Sequence, residues 1–331
     1  MIFGPVPAAE AEGAILAHSM PGRTARVPKG TVLGPAQVRD LRAAGHETLV
    51  VARLEPGDVE ENRAAEALAR AIVPDPGGQG LRIAGAGAGR VNLYATGPGV
   101  ACVDAARVAG INGVDPMITL ATVAPFHRVE AGTMVATIKI IAYGVAAADL
   151  DRACAQAAGA LRIAAPTVTS ARLIESRVGG QVPPAKGRDA MAGRLDRLGV
   201  TLGPRCVVAH QTRALADAIA ATTEDVVLIL TASATSDTRD VAPQALRAAG
   251  GTVTAFGMPV DPGNLLFFGA VSGKPVIGLP GCARSPALNG ADWVLERLIC
   301  GIPLSASDIA AMGVGGLLKE IPTRPRPRHA P

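Results

Sequence analysis

The stretch TASATSDTRD, residues 231–240, gathers side chains that suit anion chemistry. Thr231, Ser233, Thr235 and Ser236 bring hydroxyls, Asp237 and Asp240 carboxylates, and Arg239 a cation, with Ala232 between them. The apolar run VVLIL before it reads as a buried strand. VAPQALRAAGG after it reads as a helix starting near Val241, whose free N–H groups can face an anion. A carboxylate beside phosphate makes sense mainly with Mg²⁺ between them. The stretch has no glycine, whereas phosphate loops usually use several. A second reading therefore stays open, an ordinary turn in which Asp240 caps the helix and the hydroxyls bond local backbone.

A second loop, GLPGCARSP (278–286), brings Pro280 and Gly281 as a turn, then Cys282, Arg284 and Ser285. Arg284 is a candidate holder of phosphate or carboxylate. Ser285-Pro286 reads as a helix N-cap followed by proline at the first helical position. Cys282 near a helix start is either partly thiolate or a buried, inert thiol. Upstream, MPVDPGNLLFFG (258–269), with Pro259 and Gly263, is a punctuated approach to the same sheet edge. His210, at the end of the strand RCVVAHQ, is either a ligand-edge residue or a solvated one. GAGAGR (85–90) resembles a dinucleotide fingerprint only in its letters. That mechanism needs a helix directly afterwards, and RVNLYATG reads as a strand, so the glycines form a turn.

The elements that must position the two loops come from the patterning after Pro166. TVTSARLIES, RCVVAHQ, DVVLILT and TVTAFGM read as strands, and LLFFGAV with KPVIGLP as a hairpin. RDAMAGRLDRLG, RALADAIAATT and VAPQALRAAGG read as helices between them, and SPALNGADWVLERLICG as a closing helix. Strands alternating with short helices mean βαβ units and a mostly parallel sheet, which binds ligands outside the carboxyl ends of its strands. Before Pro166 the pattern is smaller-scale α+β. AEAEGAILAHSM has helical periodicity, helices are expected from Pro35 and after Asp58, and VACVDAARVAGING reads as a helix. MITLATVAPFHRV and TMVATIKIIAYGV alternate like paired strands across Gly132. The breaker cluster PDPGGQG (74–80) suggests a boundary. The expected division is an N-terminal α+β region over 1–74, a small α+β domain or insertion over 75–163, an α/β domain over 164–304 and a tail over 305–331, partly disordered.

With 331 residues, 49% hydrophobic and only 18% charged, the chain has ample core-forming material. Aromatics are only 2%, so the stacking platforms that hold single-stranded nucleic acid are nearly absent, and no basic motif replaces them. The net charge of +4 suits a small anionic ligand. The basic tail RPRPRH (324–329) reads as a solvated end. Five dispersed Cys residues, with no CxxC, read as a reduced cytoplasmic protein. No charged-then-apolar leader and no apolar run of about 20 residues is present, so neither export nor a membrane span is expected.

From 166 to 304 the order of these pieces resembles the molybdopterin-binding domain shared by molybdopterin adenylyltransferase and molybdopterin molybdotransferase. The pattern there is an apolar strand, a Thr/Ser-Gly-Gly turn, an Asp further along and a helix, which matches VVLIL, TASATSDTRD and VAPQALRAAGG. The Arg-Asp-Val-x-Pro ending resembles the first branch; FGMPVDPGNLLFFG and GKPVIGLPG resemble the second. KGTVLGPAQVRDLRAAGHETLVVARL resembles the segment that precedes the domain. The resemblance implies a three-layer αβα fold, molybdopterin as ligand, Asp240 as the carboxylate that acts with a metal, and self-association. Mg²⁺ and ATP enter as the cofactors of that chemistry. Two departures stand out. The Gly-Gly pair is Ala232-Ser233, and the Asn-Pro after Gly-Leu-Pro-Gly is Cys282-Ala283. Three functions follow for comparison: a molybdenum-cofactor maturation transferase, a carrier handing molybdopterin to a nucleotidyltransferase or molybdoenzyme, and a nucleotide hydrolase, for which no nucleophile or His-based dyad stands out.

Overall fold

A computed structural model describes residues 1–318 and shows a mixed α/β protein whose contacts divide the described residues into two units, 1–97 with 101–163, and 98–100 with the residues from 164 onward. The basic stretch 324–329 lies outside the described residues. No helix among the described residues is long and apolar enough to cross a membrane.

In the first unit, strands Ile2–Pro7 and Ile15–Leu16 flank Thr48–Arg53 in an antiparallel sheet. The helix Pro35–Ala43 starts with proline at its first position, as expected. AEAEGAILAHSM does not form the expected helix. It makes one 3₁₀ turn, Ala8–Glu10, and the short strands Ile15–Leu16 and Met20–Pro21. Its apolar residues instead serve a small core in which Ala8, Ala11, Ala14 and Leu16 are buried with Leu41 and Leu49, a tertiary demand that outweighs helical periodicity.

The helix Glu61–Ile72 begins where the Glu60 carboxylate accepts from the Arg63 N–H. Its Ala64, Leu68 and Ile72 share a core with Val91, Leu93, Ile118, Ile138 and Ile140. Those come from an antiparallel sheet that includes Ile118–Thr122, Met134–Ile140 and Arg90–Ala95. GAGAGR is a turn closed by a Gly87–Arg90 bridge and followed by a strand. VACVDAARVAGING corrects the helical expectation in part. GVACV is the strand Gly99–Val103, and the helix is Ala105–Asn112. The Asp104 carboxylate sets that start by accepting from the Ala106 and Arg107 N–H groups.

The second unit is built on a seven-stranded sheet. Strand β1 is Ser170–Arg177, β2 Thr201–Leu202, β3 Cys206–Ala209, β4 Val226–Leu230, β5 Thr252–Phe256, β6 Phe267–Val271 and β7 Lys274–Gly278. Their order is β2-β1-β4-β7-β6-β5, with β3 also paired to β1. β1 runs parallel to β2, β3 and β4, and β4 parallel to β7; only β6 runs against its neighbours. All five residues of β4 are buried, as a central parallel strand requires. The helices are α1 (Lys186–Asp196), α2 (Thr212–Ala220), α3 (Val241–Ala248), α4 (Gly290–Ile299) and α5 (Ala306–Ala311). Leu215 and Ile219 of α2 and Ala245 and Leu246 of α3 pack on Ile174, Val227, Ile229, Phe267 and Val276 of the sheet. That burial gives the rigid edge from which the loops project.

Candidate functional site

Parallel pairing puts Glu175 of β1 opposite Leu230 of β4, and Ile229 of β4 opposite Gly278 of β7. The chain therefore leaves all three strands at one edge, where parallel sheets bind ligands. A cleft of about 400 Å³ opens there. Ser176, Arg177, Gln181 and Arg284 bring polar side chains to it, and Ala232 also lines it. Val178, Val182, Pro183 and Pro184, from the segment after β1, form an apolar wall.

The glycine-free loop satisfies itself. The buried Thr231 hydroxyl donates to the Ser233 carbonyl at 2.6 Å and lies 3.4 Å from the Thr235 hydroxyl. The Ala232 N–H donates to Ser176 Oγ at 2.9 Å, and Ser176 Oγ shares a 2.9 Å hydrogen bond with His210 Nδ1. Asp240 Oδ1 accepts from the Val241 N–H at 2.7 Å and Oδ2 from the Ser236 N–H at 3.1 Å, so Asp240 is the N-cap of α3. Asp237 Oδ1 accepts from the N–H and the Nε of Arg239 at 2.7 and 3.1 Å. That hydrogen bond from the Arg239 side chain holds the Asp237 carboxyl below its ordinary value. No group of three or more His, Cys, Asp or Glu side chains able to hold a metal gathers among the described residues.

The second loop is held from beneath. Arg194, on α1, is buried and pairs with Asp292 of α4 at 2.6 Å. Its remaining N–H groups donate to the carbonyls of Ala283 at 3.0 Å, Ser285 at 2.9 Å and Ala287 at 3.0 Å. One side chain thus fixes the backbone on both sides of Arg284. Arg284 in turn donates from Nη2 to the Thr231 carbonyl at 2.6 Å, joining the two loops. Gly187 of α1 makes room for this. A Cβ there would lie 2.8 Å from Leu230 Cδ2 and 3.4 Å from Arg284 Cγ, closer than packing allows without displacement. Burial pushes the Cys282 thiol above its ordinary value, so the thiolate reading is not supported.

The Ser285-Pro286 cap is corrected. A 3₁₀ turn, Gly281–Arg284, comes first, and α4 starts only at Gly290. Asn289 is its N-cap, in a reciprocal box with Asp292. Of the residues expected at the site, Ala232 and Arg284 line the cleft, and Thr231 lies directly behind them. Ser233, Thr235 and Ser236 belong to the loop's internal bonding or its exposed rim. Pro280 precedes the 3₁₀ turn formed by Gly281, Cys282 and Arg284, and Ser285 follows it. Gly263, at φ +144°, lies so close to α4 that an added Cβ would be 2.7 Å from the Gly290 nitrogen. Pro259 packs against Gly313 and Gly316. Both therefore brace the sheet edge. Sequence reasoning missed Ser176, Arg177 and the apolar wall. The available signal was the position of Ser176 and Arg177, since they stand at the carboxyl end of a strand in a parallel sheet.

A family model described as "Domain of unknown function" (DUF8806) matches residues 5–53. No curated protein matches the chain. Among solved structures, a molybdopterin biosynthesis moea protein from Pyrococcus horikosii aligns over 93% of this chain and 75% of its own, with 13% identity and a TM-score of 0.29. A second, from Pyrococcus horikoshii OT3, aligns over 91% and 75%, with 12% identity and a TM-score of 0.23. Superpositions this loose carry no functional argument.

Proposed function

We propose that residues 164–304 form a three-layer αβα domain that binds molybdopterin or a molybdenum-cofactor precursor, in the biosynthesis or maturation of that cofactor. One observation carries the reading beside the sequence resemblance. The cleft at the carboxyl ends of β1 and β4 joins a guanidinium, Arg284, to an apolar wall. The phosphate end of the ligand lies on Arg284 and the pterin body against Val178, Val182, Pro183 and Pro184. Arg194 holds the loop that aims Arg284.

Asp240 and Asp237 are the carboxylates of the proposed chemistry, with Asp240 as the metal ligand. One oxygen each of Asp240 already accepts a backbone N–H. A Mg²⁺ here would take Asp240 as a single carboxylate ligand and complete its shell from ligand phosphate and water. That shell suits a metal arriving with a phosphate better than a resident one. The same bonding favours a second reading, a non-catalytic carrier, because the loop's donors and its carboxylates are committed within the protein.

Anaerobic calorimetric titration with molybdopterin, with and without Mg-ATP and molybdate, tests both. Micromolar binding is expected, weakened about ten- to a hundredfold by Arg284→Gln, the loss of one charge-assisted contact. Turnover that Asp240→Asn abolishes while binding persists identifies a transferase; binding without turnover identifies a carrier. No binding under any of these conditions ends the pterin reading.

A further inference from the structure

Arg177 and Arg284 enter one cleft from two different elements, the end of β1 and the 3₁₀ turn after β7. Each makes one side-chain hydrogen bond to a carbonyl, Arg177 to Gly179 at 2.7 Å and Arg284 to Thr231 at 2.6 Å. A guanidinium carries five N–H donors, so most of each fork remains uncommitted. Other arginines of this unit are neutralised: Arg172 by Glu224 at 2.6 Å, Arg194 by Asp292 at 2.6 Å and Arg205 by Glu175 at 2.8 Å. Among the described residues Arg177 and Arg284 form no such pair. Two half-buried cations left without a carboxylate in one cleft form an unfavourable arrangement that an anion relieves.

The charge and shape of that anion follow. A phosphomonoester near pH 8 carries about two negative charges and three free oxygens, enough for two guanidinium forks. A phosphodiester carries one charge and two free oxygens. The apolar wall gives the attached group its place; Val178 and Val182 are 72% and 59% exposed and leave apolar area for a ligand to cover. Resting on the proposed function above, we propose that Arg177 and Arg284 act as a pincer selecting a terminal phosphomonoester dianion on an apolar or planar body over the same phosphate once esterified. The protein then takes its ligand with the phosphate uncapped.

The test uses the full chain at pH 8 and low salt, with phenyl phosphate and methyl phenyl phosphate as paired probes. Calorimetry is expected to give a preference of about tenfold or more for the dianion. Arg177→Gln should cut that preference to about threefold or less while changing methyl phenyl phosphate affinity little. Arg177→Lys, which keeps the charge but not the fork, should fall between the two. Far-ultraviolet circular dichroism confirms that each variant is folded. Equal affinity for the two probes, or an unchanged preference in Arg177→Gln, overturns the pincer. Molybdopterin binding that Arg177→Gln leaves within about threefold also overturns it but leaves the proposed function standing. Failure of both probes and of molybdopterin to bind overturns both.

Discussion

Replacing Arg194 with methionine should be the most damaging single change in the second unit. The side chain is 1% exposed and its Asp292 partner 3%. Its loss strands the carbonyls of Ala283, Ser285 and Ala287 and leaves Asp292 with the Asn289 N–H at 2.8 Å and a longer approach from Arg197 at 3.8 Å. Removing one partner of a buried pair costs about 3–5 kcal/mol, largely because the other charge stays buried. Against a total stability of about 5–15 kcal/mol this is a large share. With a urea slope of about 2 kcal/mol/M, the midpoint should fall by about 1.5–2.5 M. The chain has one tryptophan, Trp293, next to Asp292 on α4, so its fluorescence reports unfolding of this unit. Asp292→Asn made in the Arg194→Met background should cost about 2 kcal/mol less than in the native chain, since it removes the buried charge that the first substitution strands. A midpoint shift below about 0.5 M for Arg194→Met, or strict additivity in the double variant, would refute this account of the loop.

Two further outcomes can be stated. Asp225 Oδ2 accepts from the backbone N–H of Thr169 at 2.9 Å and of Ser170 at 3.0 Å, and from both hydroxyls, with Thr169's backbone donor the largest effect in lowering its carboxyl below 3.8. A depressed carboxyl stabilises the fold above its unfolded value and loses that contribution as pH falls through the folded value. Asp225→Asn should therefore lower stability by up to about 1 kcal/mol at pH 7, and the gap between thermal melts of the two proteins should narrow only as pH falls below 3.8; a gap that does not narrow on acidification contradicts the assignment. Cys282, raised by burial, should react with iodoacetamide at pH 7 about tenfold or more slowly than in urea, and equal rates would restore the thiolate reading.

Six of the seven strands of the second unit were legible because each is a short apolar run closed by a turn, and the helices between them keep a buried stripe; Thr201–Leu202, two residues long and only partly buried, carries no such run. Leu215 and Ile219 of α2 and Ala245 and Leu246 of α3 are the residues that pattern marks. The start of α4 was misread because two local rules competed. Ser285-Pro286 satisfies the cap-then-proline rule, while Asn289 and Asp292 satisfy the capping box four residues later. The hold of Arg194 on the carbonyls of 283, 285 and 287 decides between them, and no local pattern shows it. A hint existed, since Arg194 lies four and three residues after Ala190 and Met191, on a buried helical face where a cation must find a partner. Arg177 was illegible for another reason. What distinguishes it is the carboxylate it lacks, and only the fold shows which arginines are paired.

Ala232 and Ser233, which stand where the resembled family has a glycine pair, bear on how the site can recognise an anion. A glycine-rich loop offers backbone N–H groups, because without a Cβ the main chain can approach the ligand. Here the Ala232 N–H is taken by Ser176, the Ser236 and Val241 N–H groups by Asp240, and the Thr231 hydroxyl by Ser233. Opening the loop to an anion would break several of these bonds, whereas the Arg177 and Arg284 guanidinium groups need no such rearrangement. In the proposed complex, recognition passes from partial charges on backbone to full charges on side chains. The two differ in character. Nested N–H groups select by shape at short range, while guanidinium forks respond to the ligand's total charge and are weakened by salt. On this reading the loop between β4 and α3 is a brace that carries the Thr231 carbonyl to Arg284, and selectivity resides in Arg177 at the end of β1 and Arg284 in the 3₁₀ turn after β7.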